Sequence, residues 1–187
     1  MNNCQELLLT SLCEFYKDND KYKTIFKNII DGKHKLSLRM IDWLVTHYSK
    51  SNNILYWIHK NTDEVYDTYP ENITDNDAIY IKKINLYLDY RAQLKSYAKI
   101  NFDSFRRHDR ISFCLDYDKK EFIETTIGQL NFFRWAFNNK IINYALINYD
   151  KIYQNMIDNN TYLKEKKIKR NNNVQKITKT LCTLRFD

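Results

Sequence analysis

The chain has 187 residues, 43% of them hydrophobic and 15% aromatic, and carries 30 Lys and Arg against 23 Asp and Glu, a net charge of +7. A chain this long buries enough surface to fold as one domain, and one this apolar is not disordered overall. It has only two glycines, Gly32 and Gly128, and one proline, Pro70, so it lacks the clustered glycines of phosphate-cradling loops, dinucleotide fingerprints and nucleophile elbows.

No stretch approaches the roughly 18 apolar residues that span a bilayer, and the start Met1-Asn2-Asn3-Cys4 lacks the basic region of a secretory signal. The expectation is a protein neither exported nor membrane-inserted. Cys4, Cys13, Cys114 and Cys182 form no CxxC pair and read as reduced thiols. The Asn-x-Thr matches at Asn72 and Asn159 are then chance sequons. Heavy use of Asn, Lys, Ile and Tyr points to an AT-rich genome.

In chain order, Leu7, Leu8, Leu12 and Phe15, then Tyr22, Ile25, Ile29 and Ile30, recur at helical spacing on either side of a polar break at residues 18–20, predicting a helical hairpin. Ser37 offers an N-cap to a helix whose apolar stripe is Met40, Ile41, Leu44, Val45 and Tyr48, with residues 49–53 ending it. Residues 54–58 are β-branched and aromatic and pair with Val65-Tyr66 across a turn. Residues 69–77, around Pro70, read as a surface loop, and 84–99 as a helix with its stripe at Leu88, Arg91, Leu94 and Tyr97. Alternation at Ile111, Phe113, Leu115 and Tyr117, a turn at 118–120 and a return through Phe122-Ile123 predict a β-hairpin. Thr126 and Gln129 form a T-x-x-Q capping box for a helix through Leu130, Phe133, Trp135 and Phe137, and a second helix is expected over 141–156. Trp43, Trp57 and Trp135 are assigned to core packing.

The charge is not spread evenly. Residues 164–185 hold Lys164, Lys166, Lys167, Lys169, Arg170, Lys176, Lys179 and Arg185 against Glu165 alone, which accounts for the whole excess, while the remaining 22 basic and 22 acidic residues cancel. A neutral body with a basic segment attracts polyanions through that segment. Its phosphate contacts would be sequence-independent and salt-sensitive. A nuclear-import signal and a merely solvated lysine run remain open readings of the same residues. Val174, Ile177, Leu181 and Leu184, at spacings of three, four and three, fit an amphipathic helix that docks back. A second basic cluster, Arg106, Arg107 and Arg110 between Phe102 and Ile111, has the guanidinium forks and aromatic neighbours that phosphate and base contacts require. Lys95 and Lys99 upstream extend it. The competing reading pairs these arginines with Asp103 and Asp109 inside the protein.

Catalytic constellations are weak. His108-Asp109 resembles the pair of metal-dependent phosphohydrolases, with His34, His47 or His59 as a further ligand, but it abuts a strand where that family places it on a helix. Asp116 and Asp118 with Lys119, Lys120 and Glu124 suggest a metal-dependent nuclease hairpin, although a turn explains the same residues. His47 lies five residues after Asp42, an offset that does not align them on a helix. Cys114 with His108 lacks an orienting third group.

Three stretches, residues 36–49 (Leu-Ser-Leu-Arg-Met-Ile-Asp-Trp-Leu-Val-Thr-His-Tyr-Ser), residues 90–97 with 102–111, and residues 126–135 (Thr-Ile-Gly-Gln-Leu-Asn-Phe-Phe-Arg-Trp), resemble a group of uncharacterised proteins encoded by large nucleocytoplasmic DNA viruses of protists. The resemblance implies a viral protein made in an infected cell and carries over no catalytic residue.

These readings combine into an α+β fold, mainly helical, with a small antiparallel hairpin near 111–125. They place a globular domain over 1–160 and a basic segment over 161–187. The leading function is nucleic-acid association, with DNA or RNA as a non-specific partner, in genome packaging or viral gene expression. The alternative is a virion structural or interaction module forming homo-oligomers. No cofactor, metal or membrane partner is expected, and the location is the infected host cell, in cytoplasm, viral factory or nucleus, or the virion.

Overall fold

A computed structural model describes residues 3–71, 75–116 and 118–177, with 75–76 and 167–177 as backbone alone. The expected helical hairpin forms as α1 (Asn3–Lys17) and α2 (Asp20–Ile30), and Leu12, Tyr16, Phe26 and Ile29 are its buried residues. Ser37 caps α3 (Leu38–Trp43), its hydroxyl accepting from the Met40 N–H at 3.2 Å. The stripe Met40, Ile41, Leu44 and Val45 is at most 2% exposed. From Leu44 to Tyr48 the helix widens into a π segment, where the Ser49 N–H reaches back to the Leu44 carbonyl. It then resumes as α4 (Ser49–Asn52) and stops at Asn53, whose left-handed φ of 46° breaks the hydrogen-bond ladder.

β1 (Leu55–His59) is the centre of a three-stranded antiparallel sheet, flanked by β2 (Val65–Tyr66) and β3 (Ile81–Asn85). Tyr56 and Ile58 point from β1 into the core, and Ile84 lies opposite Tyr56. β3 corrects the reading of residues 84–99 as helix throughout. Residues 81–85 extend along β1, and Asn85 then caps α6 (Leu86–Asn101), its side chain accepting from the Leu88 N–H. The face that α6 turns inward is Leu86, Tyr90, Leu94 and Tyr97, while Leu88 is 62% exposed. One turn of helix, α5 (Asp75–Ala78), sits in the region read as loop.

The hairpin is present as β4 (Ile111–Asp116) and β5 (Glu121–Thr125). It leads into α7 (Ile127–Asn138), the central helix, which packs against α1, α6 and α8 (Ile141–Ile147) and buries ten of its residues. Half of the predicted capping box forms. Thr126 accepts from the Gln129 N–H at 3.1 Å, but the Gln129 side chain turns into the protein, donating to the Ser104 carbonyl and accepting from the Thr125 hydroxyl. The helix expected over 141–156 is divided at Asn148, whose φ of −101° and ψ of 22° are non-helical. Beyond it, α9 (Tyr149–Ile177) runs unbroken through the 160/161 boundary.

Two aromatic groups, joined by the edge-on contact of Phe132 and Phe133, fill the core. Phe102, Phe132, Trp135, Tyr90 and Tyr97 form one; Tyr16, Tyr22, Phe26, Phe133 and Phe137 form the other. Tyr16 and Tyr56 bring hydroxyls inside and donate them to the carbonyls of Leu130 and Asn139. Burial pushes both phenols well above their ordinary pKa. Such groups are tolerated because each finds a partner. Trp135 is buried and Trp43, partly buried, packs against the core as expected; Trp57 is partly buried on β1 outside the core cluster, which corrects its assignment.

Candidate nucleic-acid interface

The segment 102–110 is held at three points. Phe102 is buried, the Ser104 hydroxyl donates to Asp42 Oδ1 at 3.0 Å, and the Asp103 N–H donates to the Gly128 carbonyl at 3.2 Å. Gly128 permits this approach: a Cβ there would lie 3.0 Å from the Ile100 carbonyl oxygen and 3.4 Å from the Asp103 nitrogen. The three stretches that carry the viral resemblance therefore meet, with Asp42 bonded to Ser104 and the Ser104 carbonyl bonded to Gln129.

The arginines divide between the two readings. Arg106 is half-buried and pairs with Asp109 at 2.5 Å, while Arg110 pairs with Glu124 on β5 at 3.0 Å, not with Asp103. Asp103 instead accepts from the Phe105 N–H, closing a local turn. Arg107 and His108 are exposed and have no ion pair among the described residues. Arg106, His108 and Arg110 line a hollow of about 440 Å³ beside the start of α7. Asp116 is a turn residue: it accepts from the Asp118 and Lys119 N–H groups and pairs with Lys119, whose hydrogen bond holds its carboxyl below the ordinary range. Among the described residues no group of His, Cys, Asp and Glu could hold a metal ion.

Lys95 and Lys99 are both exposed on α6. Lys99 is close enough to Asp42 to act on its titration. Burial pushes the Asp42 carboxyl up, while the Ser104 hydroxyl, His47 and Lys99 pull it down. His47 is thus within electrostatic reach of Asp42 despite the offset of five, because the wider π turn narrows the angular gap between such positions.

The basic C-terminal run lies mostly on α9. Residues 161–166, including Lys164 and Lys166, are exposed, and the helical backbone continues through Lys167, Lys169, Arg170 and Lys176. Lys179 lies outside the described residues, as do Leu181 and Leu184 of the apolar spacing. α9 is fastened to α3 by Arg39, which donates to Asn160 Oδ1 at 3.0 Å, and by the Trp43 indole N–H, which donates to Asn155 Oδ1 at 3.1 Å.

α3 consequently bridges the two basic regions, touching α9 through Arg39 and Trp43 and the 102–110 segment through Asp42. One face of α3 and the π segment carries Arg39, Trp43, His47 and Lys50, a grouping absent from the sequence-based expectations; Arg39, His47 and Lys50 are exposed and Trp43 is partly buried beside α9. The Trp43 and His47 rings stack at 4.4 Å with planes 2° apart. Spacings of four, four and three mark these residues as a second stripe, but the apolar stripe on the opposite face dominates the pattern.

Residues 2–182 match the model of a family of unknown function, DUF7197. The chain is 34% identical over 171 residues to the uncharacterized protein L507 of Acanthamoeba polyphaga mimivirus, with 90% of this chain and 59% of the relative covered. The chain thus spans about three-fifths of that relative's length. No solved structure matches.

Proposed function

We propose that this chain, which belongs to the DUF7197 family, is a viral nucleic-acid-associated protein that grips the phosphate backbone without reading sequence, in genome packaging or viral gene expression. The observation that carries the reading is α9. Among its described side chains the last buried one is Met156, and residues 161–166 are exposed while the helical backbone extends to Ile177. Six of the run's basic residues, Lys164 to Lys176, therefore follow one helical backbone, spread over roughly 18 Å at 1.5 Å per residue. A helical stretch whose described side chains, residues 161–166, are all exposed gains from a partner of opposite charge. Arg107, with no carboxylate partner among the described residues, and Lys99 supply contacts from the body. The chain then works inside the infected cell, in the cytoplasm, viral factory or nucleus.

The test is a gel-shift series with DNA and RNA duplexes across a salt gradient. Binding of both that weakens steeply with salt is the expected result; no shift at low salt would reject the reading. A second reading, a homo-oligomeric virion module, is favoured by the exposed apolar residues Leu146 and Ile147 on α8 and Tyr153 and Ile157 on α9, which are 39%, 65%, 43% and 38% exposed. Light scattering at two concentrations separates it from a monomeric binder.

A further inference from the structure

We infer that the Trp43–His47 pair is a stacking shelf for an unpaired base, so that the preferred ligand is a single-stranded nucleic acid lying along α3. This rests on the nucleic-acid reading above and specifies its ligand.

The shelf is built rigidly. The Trp43 indole is held at its N–H edge by its hydrogen bond to Asn155, and its ring lies parallel to that of His47 at 4.4 Å. His47 is the outer, exposed ring. Its orientation is fixed in turn by Thr46. That hydroxyl has one hydrogen, donated to the Asp42 carbonyl at 2.7 Å, so at 2.7 Å from His47 Nδ1 it can only accept. Nδ1 therefore carries a hydrogen, and the imidazole is held flat against the indole. The π segment over Leu44–Tyr48 sets this geometry, and such insertions concentrate at functional sites.

The charge around the shelf selects the ligand. Arg39 lies one turn before Trp43, Lys50 one turn after His47, and Lys99 approaches Asp42 from α6. Lys50 itself sits over the Tyr87 ring at 6.0 Å. The Asp42 carboxylate, one residue before Trp43, is half-buried and engaged by Ser104. An aromatic surface between cations is what a flexible polyanion with exposed π-faces requires. A duplex offers the same phosphates but keeps its bases stacked on one another, so only an unpaired base can use the outer face of His47.

The experiment titrates the full chain and His47→Ala with an oligothymidylate and with a hairpin duplex of equal charge, following fluorescence anisotropy. The expected result is a loss of about tenfold for the single strand, at the low end of one base stack, with duplex affinity unchanged. His47→Phe is expected to restore single-strand binding, and His47→Gln is not. That second pair keeps the comparison available should His47→Ala fail to fold. Equal losses on both ligands, or no loss on the single strand, would overturn the shelf while leaving backbone binding intact. Absence of binding by the unsubstituted chain would overturn both.

Discussion

Ala98 holds a strained backbone. It holds φ 57° and ψ 160° inside α6, a region that only glycine enters freely and that costs another residue about 1–3 kcal/mol. The kink turns the chain so that Phe102 enters the core and Ser104 reaches Asp42. Ala98→Gly is predicted to stabilise the protein by about 1 kcal/mol, the relief of strain exceeding the added freedom of the unfolded chain. Urea denaturation would read this, and a loss of stability would mean that the kink is unstrained. Sequence reasoning had no access to this position, because an alanine in a helical pattern predicts more helix. It did find Ser37 and Thr126, whose cap chemistry depends only on the next three residues. It missed the turn of Gln129 toward Ser104, which depends on a segment 25 residues away.

At the scale of elements, an ion cluster ties the β1–β2 connection to the helices. Asp63 pairs with Lys21 of α2 and with Lys140, a residue at φ 53° between α7 and α8 whose side chain is 9% exposed. Lys140 also reaches the Tyr22 hydroxyl at 3.3 Å. Hydrogen bonds from Lys21 and then from Lys140 hold the Asp63 carboxyl below its ordinary range. Asp63→Asn is predicted to destabilise the fold by roughly 1–2 kcal/mol. That is less than a fully buried pair would lose, since Asp63 is 42% exposed and partly screened. The sign of the pH dependence follows from the depressed pKa. The contribution is present above the unfolded carboxylate value near pH 4 and is lost as pH falls through the lower folded value. The gap between the two proteins in thermal melts should therefore be widest at neutral pH and close in acid; a constant gap would assign the effect to packing.

Most elements were legible because their apolar periodicity was long and uninterrupted, as in α1, α2, α7 and the β4–β5 hairpin. β3 was not, since Ile81 and Ile84 are three apart and fit a helix as well as a strand. Only pairing with β1 decides between them. The π segment was equally hidden, because an inserted residue leaves the burial stripe of α3 in place.

Across the whole molecule the body is neutral and most of the excess charge, Lys164, Lys166, Lys167, Lys169, Arg170 and Lys176, lies along α9, with α3 joining that helix to the 102–110 segment. Composition alone gave this division of charge. The competing pairing of the arginines with Asp109 was legible because Arg106 and Asp109 are three residues apart, whereas the partner of Arg110, Glu124 on β5, and the place of the Arg39, His47 and Lys50 face between the two basic regions depend on residues distant in the chain. The central claim is that the basic run on α9 supplies the main electrostatic grip on nucleic acid. The most direct test is the slope of log affinity against log salt for a duplex, measured for the full chain and for a variant with Lys164, Lys166, Lys167, Lys169 and Arg170 all replaced by Gln. The slope is predicted to fall in magnitude by up to about 4.5, at ~0.9 for each of the phosphates no longer neutralised; an unchanged slope would contradict the claim.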